Sequence, residues 1–291
     1  MQILDDGQIE HFLAKGYVRI SDCFDRELAE EWCALAFRRL EYDPQAPASW
    51  TEARVHMPRM NTVEVAEFAP KAWAGMCDLM GGSDRIKQPV HWADSFICNF
   101  NIRAGEQWQP PSASSPGWHK DGDWFKHFLD SPEQGLLTIV IWSDILPKSG
   151  GTFVAPDSVG HIARYLVEYP EGLYNRDGQF GKLVEKCQIF EEITGEVGDV
   201  ILIHPYMLHA ASSNPSGRAR FITNPAVSLN EPMCFNRPDG AYSLVEQAVL
   251  KGLAVESLDW QINSQRELVT PERVARQQKM LKEQKERLGV A

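Results

Sequence analysis

The sequence predicts a mainly β protein whose strands form a central core and whose helices flank that core. Between residues 90 and 230, short apolar or alternating runs recur and are separated by clusters of Gly, Pro, Ser and Asn, the pattern of antiparallel strands. Outside this region, apolar residues recur at helical spacing instead. We expect one domain over 1–291, with a helical part at about 1–90, the β core at about 90–230 and helices at about 240–291.

The N-terminal part contains three predicted helices and one strand. A helix at 7–16 precedes a strand at 17–20, and a second helix runs from about 25 to 40 with an aspartate as its N-cap. Residues 43–62, rich in Pro, Ala and polar residues, are predicted as an irregular loop. A third helix at about 64–80 ends at two glycines, which favour the left-handed conformation after a helix.

Strands, followed by at least two helices, account for most of the remainder. The polar segment 212–217 suits a turn between two antiparallel strands. The last helix is predicted at about 271–288, with Thr270 as N-cap and Pro271 at its first position. Its apolar residues are sparse, which favours a solvated surface helix over a subunit contact. The core strands are predicted at 95–102, 136–145, 152–154, 198–204 and 220–227.

Composition restricts the partners and the compartment. The chain has 29 basic and 40 acidic residues, a net charge of −11, which disfavours nucleic acid and anionic membranes as partners. The longest apolar runs are far too short to span a bilayer, and residues 1–6 lack the basic and apolar regions of a secretory leader. The six cysteines form no CxxC pair and are predicted to be free thiols. We expect a cytoplasmic protein that acts on a small molecule, and the number of subunits stays open.

Three residues predict a metal centre. His119 and Asp121 stand two positions apart, so on an extended strand both side chains point to the same side. His209 follows 90 positions after His119 and can complete the set. Two histidines and one carboxylate that leave the opposite side open are the facial triad of non-haem Fe(II) oxygenases. The same ligands could hold zinc in a hydrolase.

Further stretches accompany this triad in the order of the chain, and together they resemble the phytanoyl-CoA dioxygenase-like family of Fe(II)/2-oxoglutarate oxygenases over roughly residues 8–228. The stretches are Gly16-Tyr17-Val18-Arg19-Ile20, Trp118-His119-Lys120-Asp121, SGGTFVAPDS at 149–158, GEVGDVILIH at 195–204, and LHAASSN at 208–214 followed by Arg218-Ala219-Arg220.

This resemblance implies a double-stranded β-helix core, a jelly roll of the cupin-like kind. It also implies that His119, Asp121 and His209 hold Fe(II), with 2-oxoglutarate and O2 as cosubstrates. The family has an arginine 11 positions after the distal histidine that binds the far carboxylate of 2-oxoglutarate, and Arg220 stands there. A guanidinium can bind a carboxylate through two parallel hydrogen bonds. Arg218 lies on the same face of the strand by alternation and remains an alternative.

Four other residues are candidates for the walls of the site. Thr138 and Trp142, on the strand after the His-x-Asp motif, are either cosubstrate contacts or ordinary core residues. Trp124 and His127 follow the motif closely and could face the substrate. Since halogenating relatives replace the motif carboxylate with a small residue, the presence of Asp121 favours hydroxylation.

The sequence therefore predicts an Fe(II)/2-oxoglutarate-dependent dioxygenase that hydroxylates a C–H bond of a small-molecule metabolite and releases succinate and CO2. The alternative is a non-catalytic jelly-roll protein that binds a metal and a small ligand, because one fold serves many functions. An arginine buried opposite the metal would favour the enzyme. The substrate is not predicted, since the aromatic residues fit an aromatic ligand and a packed core equally well.

Overall fold

Short strands occupy the middle of the chain, and helices precede and follow them. The computed structural model describes residues 3–176 and 178–290, so residues 1 and 2 of the N-terminal segment lie outside it. The strands are β1 (Tyr17–Ile20), β2 (Arg54–His56), β3 (Thr62–Glu64), β4 (His91–Ala93), β5 (Ile97–Asn99), β6 (Lys126–His127), β7 (Leu136–Ile141), β8 (Thr152–Ala155), β9 (Leu173–Tyr174), β10 (Glu191–Ile193), β11 (Val200–Ile203), β12 (Leu208–Ala211), β13 (Arg220–Thr223) and β14 (Ala226–Val227). The helices are α1 (Asp6–Lys15), α2 (Arg26–Leu40), α3 (Val65–Phe68), α4 (Pro70–Met80), α5 (Ser158–Val167), α6 (Leu244–Leu253) and α7 (Arg273–Leu288).

Two antiparallel sheets build the core. The larger sheet has the order β1-β11-β7-β13-β5-β2, and β14 continues the pairing of β13 along β7. The smaller sheet has the order β10-β8-β12. Strands β7, β8, β11 and β13 are buried at every residue, which explains why β7 and β11 consist almost entirely of apolar residues. The predicted fold class, mainly β with flanking helices and a jelly-roll core, is confirmed.

Aromatic side chains fill the space between the larger sheet and the N-terminal helices. Trp142, the residue after β7, stacks on Trp32 of α2 with ring centroids 4.9 Å apart and an interplanar angle of 12°. Phe24 and Phe96 also pack against Trp142, at 4.9 and 5.7 Å. Such pairs stabilise a core beyond the area that they bury. These aromatic residues therefore belong to the core and do not indicate an aromatic ligand.

Several predicted boundaries differ from the structure. Strand β2 lies inside the segment 43–62, which the sequence predicted as a loop. The strand was not predicted because its three residues pair with β5, 41 to 45 positions away, and so leave little local signal. Helix α5 was not predicted, and α7 begins at Arg273 instead of residue 271, with Glu272 as its N-cap. The predicted turn at 212–217 joins β12 in the smaller sheet to β13 in the larger one, so it is a crossing between sheets.

Within residues 3–176 and 178–290, the structure contains no helix that is both long and apolar enough to cross a membrane.

Candidate functional site

The three predicted metal ligands come together at the edge of the smaller sheet. His209 lies on β12, and its backbone exchanges two hydrogen bonds of 3.0 Å with the backbone of His119, in an isolated antiparallel bridge. The two imidazole centroids are therefore 4.3 Å apart. Asp121 lies in the bend that follows. The His-x-Asp pair is thus held by a single bridge to β12, whereas the sequence predicted a regular strand.

The side chains of these residues face one another. Oδ1 of Asp121 lies 3.5 Å from Nε2 of His119, and Oδ2 lies 3.6 Å from Nε2 of His209. Nδ1 of each imidazole lies near a backbone carbonyl oxygen, that of Gly117 at 2.8 Å and that of Met207 at 3.2 Å. Because a carbonyl oxygen only accepts, each Nδ1 carries a proton. Each Nε2 lone pair is thereby available to a metal.

The electrostatics of the cluster suit a divalent cation. Burial raises the pKa of the Asp121 carboxyl, but His209 and His119 outweigh burial and hold this pKa well below its usual range. A metal bound among the three ligands would replace the protons that they share. Their ligand atoms all lie within 4.8 Å of one another. Two imidazoles and one carboxylate therefore fit Fe(II) with coordination positions left open.

The cluster opens onto a cavity of about 760 Å³, within the range of roughly 300–1,000 Å³ that is usual for small-molecule sites. Strand β2 and the residues after it form one side, and the loop after the His-x-Asp motif forms another. Helix α7, which the sequence predicted as a solvated surface helix, forms a further wall. Its cavity-lining residues are Arg273, Val274, Gln277, Gln278 and Leu281.

Helix α7 is tethered at both ends. At its start, the Arg273 guanidinium donates two hydrogen bonds of 2.8 Å to the Asp123 carboxylate, in the loop after the motif. Near its end, the side-chain oxygen Oε1 of Gln284 accepts a 2.9 Å hydrogen bond from Nε of Arg39, a buried residue of α2. The wall that α7 supplies is therefore fixed relative to both the motif loop and the N-terminal helices.

Arg220 lies on β13 with 2% of its surface exposed. Its Nε donates to the Gly150 carbonyl at 2.8 Å and its Nη1 to the Ile97 carbonyl at 3.4 Å. Burial, and then the neighbouring Arg54, lower the pKa of Arg220 to about 10. In the part of the chain that the structure describes, no carboxylate lies within ion-pair distance of this guanidinium. A buried cation without a counter-ion is costly, so this position favours an anionic ligand.

A second arginine, Arg54, lies beside Arg220 and was missed because it falls in the predicted loop. Arg54 of β2 and Arg220 of β13 both pair with Asn99 of β5, one from each side. Residues in register on neighbouring strands project from the same face of a sheet. Burial lowers the pKa of Arg54, and the Asp121 carboxylate opposes this change. The alternation of Arg54, Val55 and His56 was the signal that could have revealed β2.

The two predicted substrate-facing residues have different positions. Trp124 lines the cavity. His127 is buried behind the motif loop, where Nδ1 accepts a 2.9 Å hydrogen bond from Nζ of Lys120 and Nε2 donates to the Gly122 carbonyl at 2.6 Å. Burial lowers the pKa of Lys120 to about 7. His127 therefore braces the loop that carries two of the metal-ligand candidates and does not line the cavity.

The two predicted wall residues, Thr138 on β7 and Trp142 just after it, are buried and do not line the cavity. The Thr138 hydroxyl donates to the Pro225 carbonyl at 2.8 Å. The Trp142 indole donates to the Thr223 hydroxyl at 3.0 Å. Arg218, the alternative to Arg220, is exposed before β13 begins.

A comparison with models of protein families gives one match. The model of the phytanoyl-CoA dioxygenase (PhyH) family matches residues 12–222. Nothing among curated proteins matches the chain.

Several solved structures are similar at low identity. One is the epimerase SnoN in complex with Fe3+, α-ketoglutarate and nogalamycin RO, at 17% identity over 92% of this chain and 96% of that chain, with a TM-score of 0.46. Another is HygX from Streptomyces hygroscopicus with nickel, 2-oxoglutarate and hygromycin B bound, at 14% identity over 78% and 88% of the two chains, with a TM-score of 0.44. The carbocyclase SnoK from nogalamycin biosynthesis has 16% identity over 92% and 97%, with a TM-score of 0.42.

Proposed function

The chain belongs to the phytanoyl-CoA dioxygenase family, and on that premise we propose that it hydroxylates a C–H bond of a small-molecule metabolite. It is a non-haem oxygenase that depends on Fe(II), 2-oxoglutarate and O2. We assign the iron to His119, Asp121 and His209, and the far carboxylate of 2-oxoglutarate to Arg220. The expected products are the hydroxylated metabolite, succinate and CO2.

The burial of Arg220 without a counter-ion is the observation that carries this proposal. A metal-binding module or a zinc hydrolase has no need of a buried guanidinium without a counter-ion, whereas a dicarboxylate cosubstrate would supply the missing negative charge. Arg54 supplies a second positive charge on the same face of the sheet. Its charge lowers the pKa of Arg220, and the Asp121 carboxylate raises the pKa of Arg54. Such a face attracts a dianion.

Each group of residues then has a part in the reaction. When bound, iron and 2-oxoglutarate supply the oxidising chemistry, which no protein side chain can supply. The two imidazoles and the Asp121 carboxylate would hold the metal, and His119 and Asp121 line the cavity that the substrate would enter. Arg220 orients the cosubstrate through its far carboxylate. Helix α7 and the motif loop form walls of the cavity that would position the substrate.

The cavity walls favour a substrate with hydrogen-bonding groups. Gln277 and Gln278 of α7 and Asn175 of the opposite wall bring amides to the cavity, and Trp124 brings one aromatic face. We infer a polar small molecule for this reason. The net charge of −11 continues to disfavour nucleic acid. All six cysteines are free, in agreement with the proposed cytoplasmic location.

An anaerobic titration tests the proposal. The metal-free protein is titrated with Fe(II) and then with 2-oxoglutarate, and the weak visible charge-transfer band of the chelate is recorded. We expect the band in the wild-type protein and its loss in the Asp121→Ala variant. Iron binding without the band would contradict the cosubstrate assignment. A band without succinate release in any substrate screen would favour the non-catalytic binding protein.

A further inference from the structure

Asn224 makes a direct contact with the motif carboxylate. Its amide Nδ2 donates a 2.7 Å hydrogen bond to Oδ2 of Asp121, and both residues line the cavity. The sequence provides no hint of this contact, since the two residues are 103 positions apart.

The backbone around Asn224 is held on both sides. Thr223 pairs with Val140 before it, and Ala226 pairs with Leu137 after it, both against β7. Because alternate residues of an extended chain share a face, Asn224 projects from the same face as Arg220. The segment 220–224 therefore carries Arg220, which is assigned to the cosubstrate, and Asn224, which contacts the metal-ligand candidate Asp121.

We propose that Asn224 is a positioning residue that determines how the Asp121 carboxylate binds the metal, an inference that rests on the proposed function. A carboxylate can bind a metal through one oxygen or through both. An oxygen that accepts an amide hydrogen bond has less electron density to offer a metal, so Asn224 leaves Oδ1 as the preferred ligand atom. Binding through one oxygen keeps the remaining coordination positions open for 2-oxoglutarate and O2.

The amide suits this role better than the neighbouring charges do. Arg54 acts on Asp121 through its charge without a hydrogen bond to it, so it stabilises both carboxylate oxygens and does not discriminate between them. Asn224 is neutral and directional, and it contacts one oxygen only. It can therefore orient the carboxylate without lowering its negative charge.

Two variants test the proposal with Co(II) as the metal probe. Asn224→Leu removes the hydrogen bond and keeps the branched shape and number of heavy atoms of the side chain, and Asn224→Asp replaces the donor with a second carboxylate. Asn230→Ala is the matched control, because Asn230 is exposed and donates only to the backbone carbonyls of Asp84 and Ile86. The readouts are the Kd for Co(II), the visible d–d spectrum, which reports coordination number, and the thermal unfolding of the metal-free protein.

We expect Asn224→Leu to raise the Kd for Co(II) by roughly 10–100-fold, the usual effect of losing a hydrogen bond to a ligand, and to change the d–d spectrum. Asn224→Asp should change the spectrum too, while Asn230→Ala leaves both unchanged. Wild-type Kd and spectrum in both Asn224 variants would overturn the proposal. If the wild-type protein binds Co(II) but never forms the 2-oxoglutarate chelate, the proposed function fails, and the Co(II) comparison still tests Asn224.

Discussion

Replacing Arg220 tests the link between structure and cosubstrate most directly. The change Arg220→Gln removes the positive charge but keeps an amide that can donate to the Gly150 carbonyl, the shorter of the two hydrogen bonds that Arg220 makes. Glutamine therefore limits the damage to the sheet. Arg218→Gln is the matched control, since Arg218 is exposed and lies two positions away.

The magnitude follows from the burial of the guanidinium. A hydrogen bond between charged groups contributes about 1.5–3 kcal/mol. With 2% of Arg220 exposed, water screens the pair little, so the upper part of that range, about 2–3 kcal/mol, applies. This loss corresponds to an increase of about 30–150-fold in the Kd for 2-oxoglutarate. Metal affinity should change little, because Arg220 contacts none of the three ligand residues.

The assay is an anaerobic titration of the Fe(II)-loaded protein with 2-oxoglutarate, followed by the charge-transfer band or by calorimetry. An unchanged Kd in Arg220→Gln would refute the assignment. A large loss in Arg218→Gln alone would show that the other arginine binds the cosubstrate. Arg54→Gln should have a smaller effect than Arg220→Gln, because Arg54 is more accessible to water.

Three further outcomes are expected. Replacing His119 or Asp121 with Ala should abolish iron-dependent turnover and weaken Fe(II) binding in equilibrium dialysis; full activity in either variant would contradict the metal assignment. Arg273→Ala breaks a half-exposed ion pair with Asp123, which contributes about 0.2–1 kcal/mol. Amide hydrogen exchange at the start of α7 should therefore become up to about fivefold faster, while the Kd for 2-oxoglutarate stays unchanged. Unchanged exchange would mean that other contacts hold this end of the helix. Burial lowers the pKa of His204 to about 3, so as the pH falls this histidine is protonated in the unfolded chain before it is protonated in the folded protein. The free energy of unfolding should therefore fall between about pH 6.5 and pH 3, by up to about 1.4 kcal/mol per pH unit. Thermal unfolding of His204→Gln should depend less steeply on acid pH than that of the wild type, and an equal slope would contradict this reasoning.

Local patterns account for what could be predicted. The runs of β7 and β11 are almost entirely apolar because their residues are buried on both faces, so each run could be recognised without its partners. The His119 and Asp121 pair was visible as a motif of two nearby residues. His209 and Arg220 were identified through the order and spacing of several motifs, which a resemblance to a family preserves even when identity is low.

Long-range contacts account for the features of the site that could not be predicted from the sequence. Arg54 belongs to the site only because β2 pairs with β5, and a three-residue edge strand contributes almost no local signal. The Asn224 contact depends on the path of the chain from β13 to β14. Helix α7 appeared to be solvated because the residues that it turns toward the cavity are largely polar, and polarity alone does not distinguish a wetted cavity from the outer surface.

The sequence by itself determined the mainly β class and the three metal-ligand candidates, and its resemblance to a family implied the jelly-roll core. The β class depends on side-chain period and the candidates on motif spacing, both of which are written along the chain. Only the tertiary structure decided that Arg220 is buried without a counter-ion, that Arg54 lies beside it and that α7 encloses the cavity. Burial and charge pairing arise between residues far apart in the chain, so no local pattern can encode them.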